Sequence, residues 1–430
     1  MKYEWIIVGG GIAGIALSEI LTRQGHSALL LEKGGKLAVG ATKDFHEWIH
    51  TGCLYTLLPD KLRTLKYVLG AIDDLLEYYS SFRRMNLVPT ECGLEIVGEG
   101  WFIPDPIHFK YRLRRFNPVW SFIQARSEYL IGHIAQHDWL RRRAGVLEEF
   151  KVNQYRSIYR NLCRLTQHRG KFYTLKTTDF TTHSRRLLRD LIATSLRHGL
   201  DIALNQVVQE IRDRHGIKTV ITDHGVFKAD KVVLCTGDHI AKFVDVKIKS
   251  SYAPMAVVTD LDETAYSFVE LDYYTRNCIN LLVKGQGIGL IGGISLNRRS
   301  ECEDYIEYVI RRHKGYQPGL KVIDKYIGVK NEIIFPAQDR NYLFHIVGCG
   351  PNMWAAIPGK FILGFSLAPE FYRRVYRRNP RKAFQTISDT DQATDLVAET
   401  RWQEMVHLYL REDLRSPVES RKMRPLGCRR

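Results

Sequence analysis

The chain has 430 residues, of which 45% are hydrophobic and 11% aromatic, enough for two domains with ample core. No stretch approaches the roughly 18–20 apolar residues of a membrane-spanning helix, and the apolar N-terminus is too short and carries Glu4, which speaks against a signal segment. Formal net charge is +16, and the cysteines (Cys53, Cys92, Cys163, Cys235, Cys278, Cys302, Cys349, Cys428) are scattered without a C-x-x-C pair, arguing against a zinc site or disulfide framework and for a reducing, cytoplasmic setting.

Tyr3–Val8 is a short apolar run with β character, and it leads directly into Gly9-Gly10-Gly11-Ile12-Ala13-Gly14. From Ile12 to Arg23 apolar residues recur at helical spacing, with Gly25 as a stop, and Ser27–Leu31 is a second apolar run closed by Glu32. Strand, G-x-G-x-x-G, helix, strand and acid in this order form the Rossmann-like dinucleotide fingerprint. Gly9 permits the tight turn, Gly11 lets backbone approach a pyrophosphate, and Gly14 lets helix pack on strand. The N-terminus of the helix offers N–H groups and the positive end of its dipole to phosphate. Glu32, about twenty residues past the glycines, is placed to bind a ribose diol.

Gly34–Cys53 follows as a polar, glycine-rich loop of a length that is usually functional. Pro59–Phe82 reads as an amphipathic helix, 87–103 as strands around Gly93 and Gly98, and 118–165 as helical and rich in aromatics and arginine. A helix from about 182 ends near Gly199, the strand Asp201–Leu204 follows, and Val207–Ile211 with Lys218–Thr222 form a hairpin turned at Asp213–Gly216. Lys228–Gly237 is an apolar strand ending in Cys-Thr-Gly, which allows close approach of a ligand. From about 250 to 335 the chain is mainly β. Gly285–Gly293 reads as a glycine-rich hairpin, since strand and not helix follows it. Asp339–Pro369 is expected to give a strand (Tyr342–Val347), a glycine turn (Gly348, Gly350) and a small-residue helix, and 370–430 a basic helix and then polar sequence that is flexible in part, with 381–430 as a basic C-terminal tail.

Basic residues cluster at Arg112–Arg115, Arg141–Arg143, Arg185–Arg189, Arg311–Lys314, Arg373–Arg378 and Arg421–Arg430. Two readings stand: attraction to an anionic surface (membrane, nucleic acid or acidic protein), which admits a peripheral membrane location, or solvated faces of arginine-rich helices.

These motifs together resemble the FAD-dependent D-amino-acid oxidase-like superfamily, nearest in motif to its L-2-hydroxyglutarate oxidase and glycine oxidase branches. The resemblance covers about 1–55, 177–242 and 320–370. It implies an α/β fold in which a Rossmann-like FAD-binding domain (1–84, 177–245 and 338–380) interleaves with a mainly antiparallel β substrate domain (85–176 and 246–337). It implies FAD contacts at Gly9, Gly11, Ile12, Ala13, Gly14, Glu32 and Lys33, and at Ala41 and Thr42 in a turn similar to the family's G-A-S/T. Further contacts are implied at Val208 beside the adenine, at Cys235, Thr236 and Gly237 closing their strand, and at Gly348, Gly350, Asn352 and Met353 around the isoalloxazine. Trp48–Tyr55 is similar to an I-H-A-G-x-Y-Y segment and brings in His50, as a base or as a flavin contact. Tyr326–Lys330 resembles a pattern whose arginine grips a substrate carboxylate. Here a lysine, Lys330, stands in that place without the following proline, a point charge rather than a fork.

Within that frame the cofactor accepts a hydride from a C–H bond beside an amine or hydroxyl. His50 is the candidate base, Lys330 the candidate carboxylate ligand, and Arg340 a further catalytic candidate, with Tyr273, Tyr274 and Tyr342 as minor ones. The expected substrate is a small amino acid or 2-hydroxy acid. The alternatives are a flavoenzyme acting on a tRNA base or peptide, for which 107–128 interleaves basic and aromatic residues, and a flavin-binding assembly or sensor protein without catalysis.

Overall fold

The computed structural model describes residues 2–50, 55, 63–90, 93–112, 172–176, 179–272, 275, 277–335, 341–382 and 391–415. Its helices are α1 (Ile12–Arg23), α2 (Arg63–Tyr79), α3 (Ser184–Arg197), α4 (Cys302–Tyr316), α5 (Gly364–Tyr376), α6 (Asp391–Leu396) and α7 (Arg401–Arg415). The architecture is mixed α/β, with one largely parallel and one largely antiparallel sheet.

At the centre of the first sheet lies Lys2–Val8, parallel to Ala28–Leu31 on one side and to Val226–Leu234 on the other. Leu200–Ala203 extends one edge, and the antiparallel strands Ile217–Thr222 and Val208–Arg214 extend the other. The carboxyl half of Val226–Leu234 also pairs in parallel with Met353–Ile357. Trp5, Ile6 and Ile7 are fully buried, as a central parallel strand covered on both faces requires. Helix α1 packs on this sheet between α3 and α5. Its first turn can sit against the strand because Gly14 has no side chain: a Cβ there would lie 1.9 Å from Gly9 O.

The second sheet runs Lys321–Ile333, Ile248–Thr259, Ile288–Gly293, Asn277–Gly285, Phe268–Asp272, His108–Arg112, Phe172–Lys176. All its pairings are antiparallel except Phe268–Asp272 with His108–Arg112. The glycine-rich segment is a hairpin here, with Gly285 and Gly287 at positive φ in the turn. A small third sheet joins Trp48–Ile49 and Phe102–Ile103 to Phe180–Thr182.

One expectation is overturned. The segment after the glycine turn is a strand, Met353–Ile357, and the helix α5 starts only at Gly364. Five apolar residues are too short a run for periodicity to separate strand from helix, and pairing with Val232–Leu234 decides it. Beyond residue 381 the described part is held to the fold by backbone hydrogen bonds. Leu37 N–H donates to Leu396 O (2.8 Å), Ala398 N–H to Leu37 O (3.0 Å) and Arg401 N–H to Lys43 O (3.0 Å), so α6 and α7 are stitched onto the loop after the second strand.

Candidate functional site

The carboxyl ends of Lys2–Val8, Ala28–Leu31, Val226–Leu234 and Met353–Ile357 open onto a cavity of about 770 Å³. Residues 253–255, 278, 280, 292–293 and 328–332 of the second sheet, with 294–295 just after it, form its opposite wall. This is the crevice in which open α/β sheets bind their ligands, and its volume is that of a cofactor site.

One end is a glycine cradle. Gly9 has φ +105°, and a Cβ on it would lie 2.6 Å from Cys235 O, so the turn passes directly under the end of the neighbouring strand. The N-cap of α1 is Gly11, which offers no side chain, and Ile12 N–H donates to Thr42 Oγ1 (3.0 Å). Glu32 fastens the cradle: its Oε2 accepts from Gly10 N–H (2.7 Å) and its Oε1 from Gly34 N–H (2.8 Å). A carboxylate has about four lone-pair sites, so Glu32 keeps acceptor capacity on the cavity wall. Thr236 Oγ1, also on the wall, is buried and has no hydrogen-bond partner among the described residues. A bare helix N-terminus, glycines pressed against backbone and a waiting hydroxyl together fit the phosphate and ribose groups of FAD.

The other group of lining residues is cationic and aromatic. His46, His50, Tyr55, Lys330, Tyr342 and Lys360 all line the cavity. Lys360 Nζ stands 4.8 Å from the Tyr55 ring centroid and 4.6 Å from that of Tyr342. The His50 ring lies between Trp48 (centroids 4.1 Å) and Tyr55 (5.3 Å). Burial pushes the His50 imidazole down to about 4. The Lys360 and Lys330 ammonium groups push in the same direction, and Asp179 opposes them. Burial, then Lys330 and His50, also hold His46 well below the ordinary histidine value. Both rings are therefore neutral at pH 7, and the resting positive charge of the cluster belongs to lysines.

Of the expected cofactor residues, Gly9, Gly11, Ile12, Ala13, Glu32, Lys33, Ala41, Thr42, His50, Val208, Cys235, Thr236 and Gly237 line this one cavity. Gly14 lies behind it, packing helix on strand. Gly348, Gly350, Asn352 and Met353 do not line it. They form the turn that enters Met353–Ile357, with Val232 N–H donating to Asn352 O (3.0 Å), at the amino end of a strand whose carboxyl end faces the cavity. The wall there is made instead by 356–362, where Gly359 has φ +67° and a Cβ would lie 2.6 Å from Leu343 O. Among the catalytic candidates, His50 and Lys330 share the cavity, and Tyr342 joins them. Arg340, Tyr273 and Tyr274 lie outside the described residues. His46, Lys360 and Asp179 escaped the sequence reading. The Pro358-Gly359 pair was the available signal for the turn that presents Lys360.

Residues 4–359 match the family described as FAD dependent oxidoreductase (DAO). No curated protein matches the sequence. Among solved structures, the chain is similar to dithionite-reduced L-α-glycerophosphate oxidase from Mycoplasma pneumoniae with FAD bound, at 16% identity and TM-score 0.62, covering 94% of this chain and 100% of that one. It is also similar to glycine oxidase from Geobacillus kaustophilus (13%, TM-score 0.59, 91% and 99% covered). A third is L-amino acid deaminase from Proteus vulgaris (14%, TM-score 0.59, 89% and 92% covered). At these identities the likeness is one of fold.

Proposed function

The chain belongs to the FAD-dependent oxidoreductase family, and we propose that it oxidises a small anionic substrate, such as a 2-hydroxy acid, an amino acid or a glycerophosphate-like alcohol. The observation that carries this reading is the meeting of Lys330 and Lys360 with the neutral rings of His46 and His50 on the wall of the cavity that begins at the glycine cradle. Two ammonium groups in a partly desolvated site favour a carboxylate or phosphate, and the buried rings leave that charge uncontested by imidazolium. The names of the similar structures, a glycerophosphate oxidase, a glycine oxidase and an amino acid deaminase, fit the same class.

FAD supplies a two-electron acceptor for the hydride leaving the substrate carbon. Gly9–Gly11, Thr42 and Glu32 would hold its nucleotide half, and Val208 and Thr236 are the proposed contacts at the adenine side and the strand end. The protein's own residues have three tasks at the reacting end. Lys330 and Lys360 bind the anionic group. Tyr55 and Tyr342 steer Lys360 through their ring faces and exclude water. His50 accepts the proton of the hydroxyl or ammonium at its unprotonated ring nitrogen. Lys330 presents no fork, so shape and not bidentate pairing selects among anions.

Anaerobic mixing of the yellow protein with a panel of 2-hydroxy acids, amino acids and α-glycerophosphate tests the reading. Bleaching of the flavin by an anionic member, and not by its uncharged amide or alcohol analogue, is expected. Bleaching by neutral amines alone, or by no member, contradicts it.

A further inference from the structure

Asp179 is fully buried, and the register of the small third sheet points it at His50. Trp48 pairs with Thr181 and Ile49 with Phe180, so continuing the antiparallel ladder by one step sets His50 across from Asp179. The backbone of Asp179 is fixed, its carbonyl accepting from Ile107 N–H (2.8 Å). One oxygen of its carboxylate, Oδ2, accepts from the Trp48 indole Nε1–H (2.9 Å) and lies 3.5 Å from His50 Nδ1. Nδ1 is buried and has no nearer hydrogen-bond partner among the described residues.

We propose that Asp179 is a positioning residue that holds His50 as the Nδ1–H tautomer, leaving Nε2 as the proton acceptor of the oxidation. This rests on the reading of His50 as the base. A neutral imidazole carries one N–H, and the nitrogen facing a carboxylate carries it, since a bare Nδ1 there would set lone pair against lone pair. As the substrate's C–H hydride leaves to FAD, its O–H or N–H proton passes to Nε2 and a C=O or C=N bond forms, so two electrons and one hydrogen leave as hydride and one proton stays on His50. The imidazolium so formed has Asp179 beside it to offset the burial and the Lys330 and Lys360 charges that oppose it. The groups bearing on the ring are thus Asp179, His46, Lys330 and Lys360, with Trp48 and Tyr55 as its ring neighbours. At 3.5 Å the contact is long for a hydrogen bond, and catalytic hydrogen bonds of this kind tighten in the substrate complex.

The substitution Asp179→Leu removes the acceptor while keeping much of the bulk. Because Oδ2 alone faces both Trp48 Nε1 and His50 Nδ1, this variant leaves no carboxylate to hold the proton on Nδ1 and releases the ring from that tautomer. The test is nitrogen NMR of the FAD-loaded protein labelled with ¹⁵N-histidine, with His50 assigned by its disappearance in His50→Gln. We expect the wild-type signal to be that of an Nδ1–H ring at pH 7 and the Asp179→Leu signal to lose that single-tautomer character. Flavin reduction by the panel substrate that bleaches the wild type should then slow about 10²–10⁴-fold with little change in KM. Trp48→Phe, which removes the competing donor, should keep the wild-type tautomer. An Nε2–H ring in the wild type overturns the proposal without any variant having to fold, and so does an unchanged Nδ1–H signal in Asp179→Leu. A panel that bleaches nothing overturns the substrate reading instead, since the tautomer is read without substrate.

Discussion

At the scale of single residues, Gly9 and Gly14 of the cradle each answer a steric demand, since a Cβ on either would meet backbone. Gly14→Ala would put a methyl 1.9 Å from Gly9 O, a backbone contact that no rotamer relieves. We expect this variant to lose FAD, read as the flavin-to-protein absorbance ratio of the purified protein, and to lose about 1–3 kcal/mol of stability from overpacking. Lys330→Met should raise KM for the anionic substrate tenfold to a hundredfold, about the 1.5–3 kcal/mol of a hydrogen bond to a charged group, and leave the FAD content unchanged. Steady-state kinetics on the substrate found by anaerobic bleaching checks this, and an unchanged KM would remove Lys330 from the substrate site. His50 and Lys330 were legible because a motif surrounds each. Asp179 was not, since a lone aspartate after Thr178 gains meaning only once a two-residue ladder sets it against His50.

At the scale of elements, the described C-terminal helices hold the loop that leads to the site. Trp402 Nε1–H donates to Glu47 Oε2 (2.9 Å), Lys43 pairs with Glu404 (2.6 Å) and Arg401 with Asp44 (3.2 Å). Glu47 is buried with φ +66°, and it also binds Lys284 (2.8 Å) and the backbone and hydroxyl of Ser184. Burial alone would raise its carboxyl, but the Lys284 ammonium and the Ser184 donors outweigh that and hold it below the usual carboxylate range. Lys284→Met therefore strands a buried carboxylate, and urea denaturation should register a loss of about 3–5 kcal/mol. Trp402→Ala removes another partner of the same carboxylate, so the double variant should be less destabilised than the sum of the two. Additive losses would mean that α7 acts independently of the loop. Sequence pattern could not reveal this clamp: α7 is an ordinary amphipathic helix, and its docking depends on single contacts reaching back more than three hundred residues. The same limit turned Met353–Ile357 into an expected helix and misplaced its glycine turn at the wrong end of the sheet.

For the molecule as a whole, part of the positive charge is paired inside the described fold, and the net +16 remains. Arg185 pairs with Glu399, Arg312 with Glu270, Arg373 and Arg374 with Glu370, and Arg378 donates to the Tyr372 hydroxyl. Arg141–Arg143 and Arg421–Arg430 lie outside the described residues, and no described helix is long and apolar enough to cross a membrane. Buried histidines set the response to acid. Burial pushes His50, His313 and His345 each down to about 4. Below about pH 6.5 the unfolded chain protonates these rings while the folded one resists until about 4, so stability falls as pH drops through that window, by about 1.4 kcal/mol per pH unit for each ring. Asp74, raised to about 6 by burial, and Asp44 and Glu19, raised by the same cause, work in the opposite direction, since their folded forms take the proton first, but burial lowers His46, His183 and His198 as well. Urea midpoints should therefore be lower at pH 5 than at pH 7, and a higher midpoint at pH 5 would contradict this assignment of buried neutral rings.

The layout of the cavity, with its nucleotide end at Gly9–Gly11 and its reacting end at His50, Lys330 and Lys360, is tested most directly by crystallographic density for the purified protein with FAD bound. The account predicts the pyrophosphate at the start of α1 and the isoalloxazine ring in the chamber bounded by His50, Lys330, Tyr342 and the 356–362 segment. A ring lying against the Gly348–Asn352 turn, or a dinucleotide running the other way along the crevice, would contradict it.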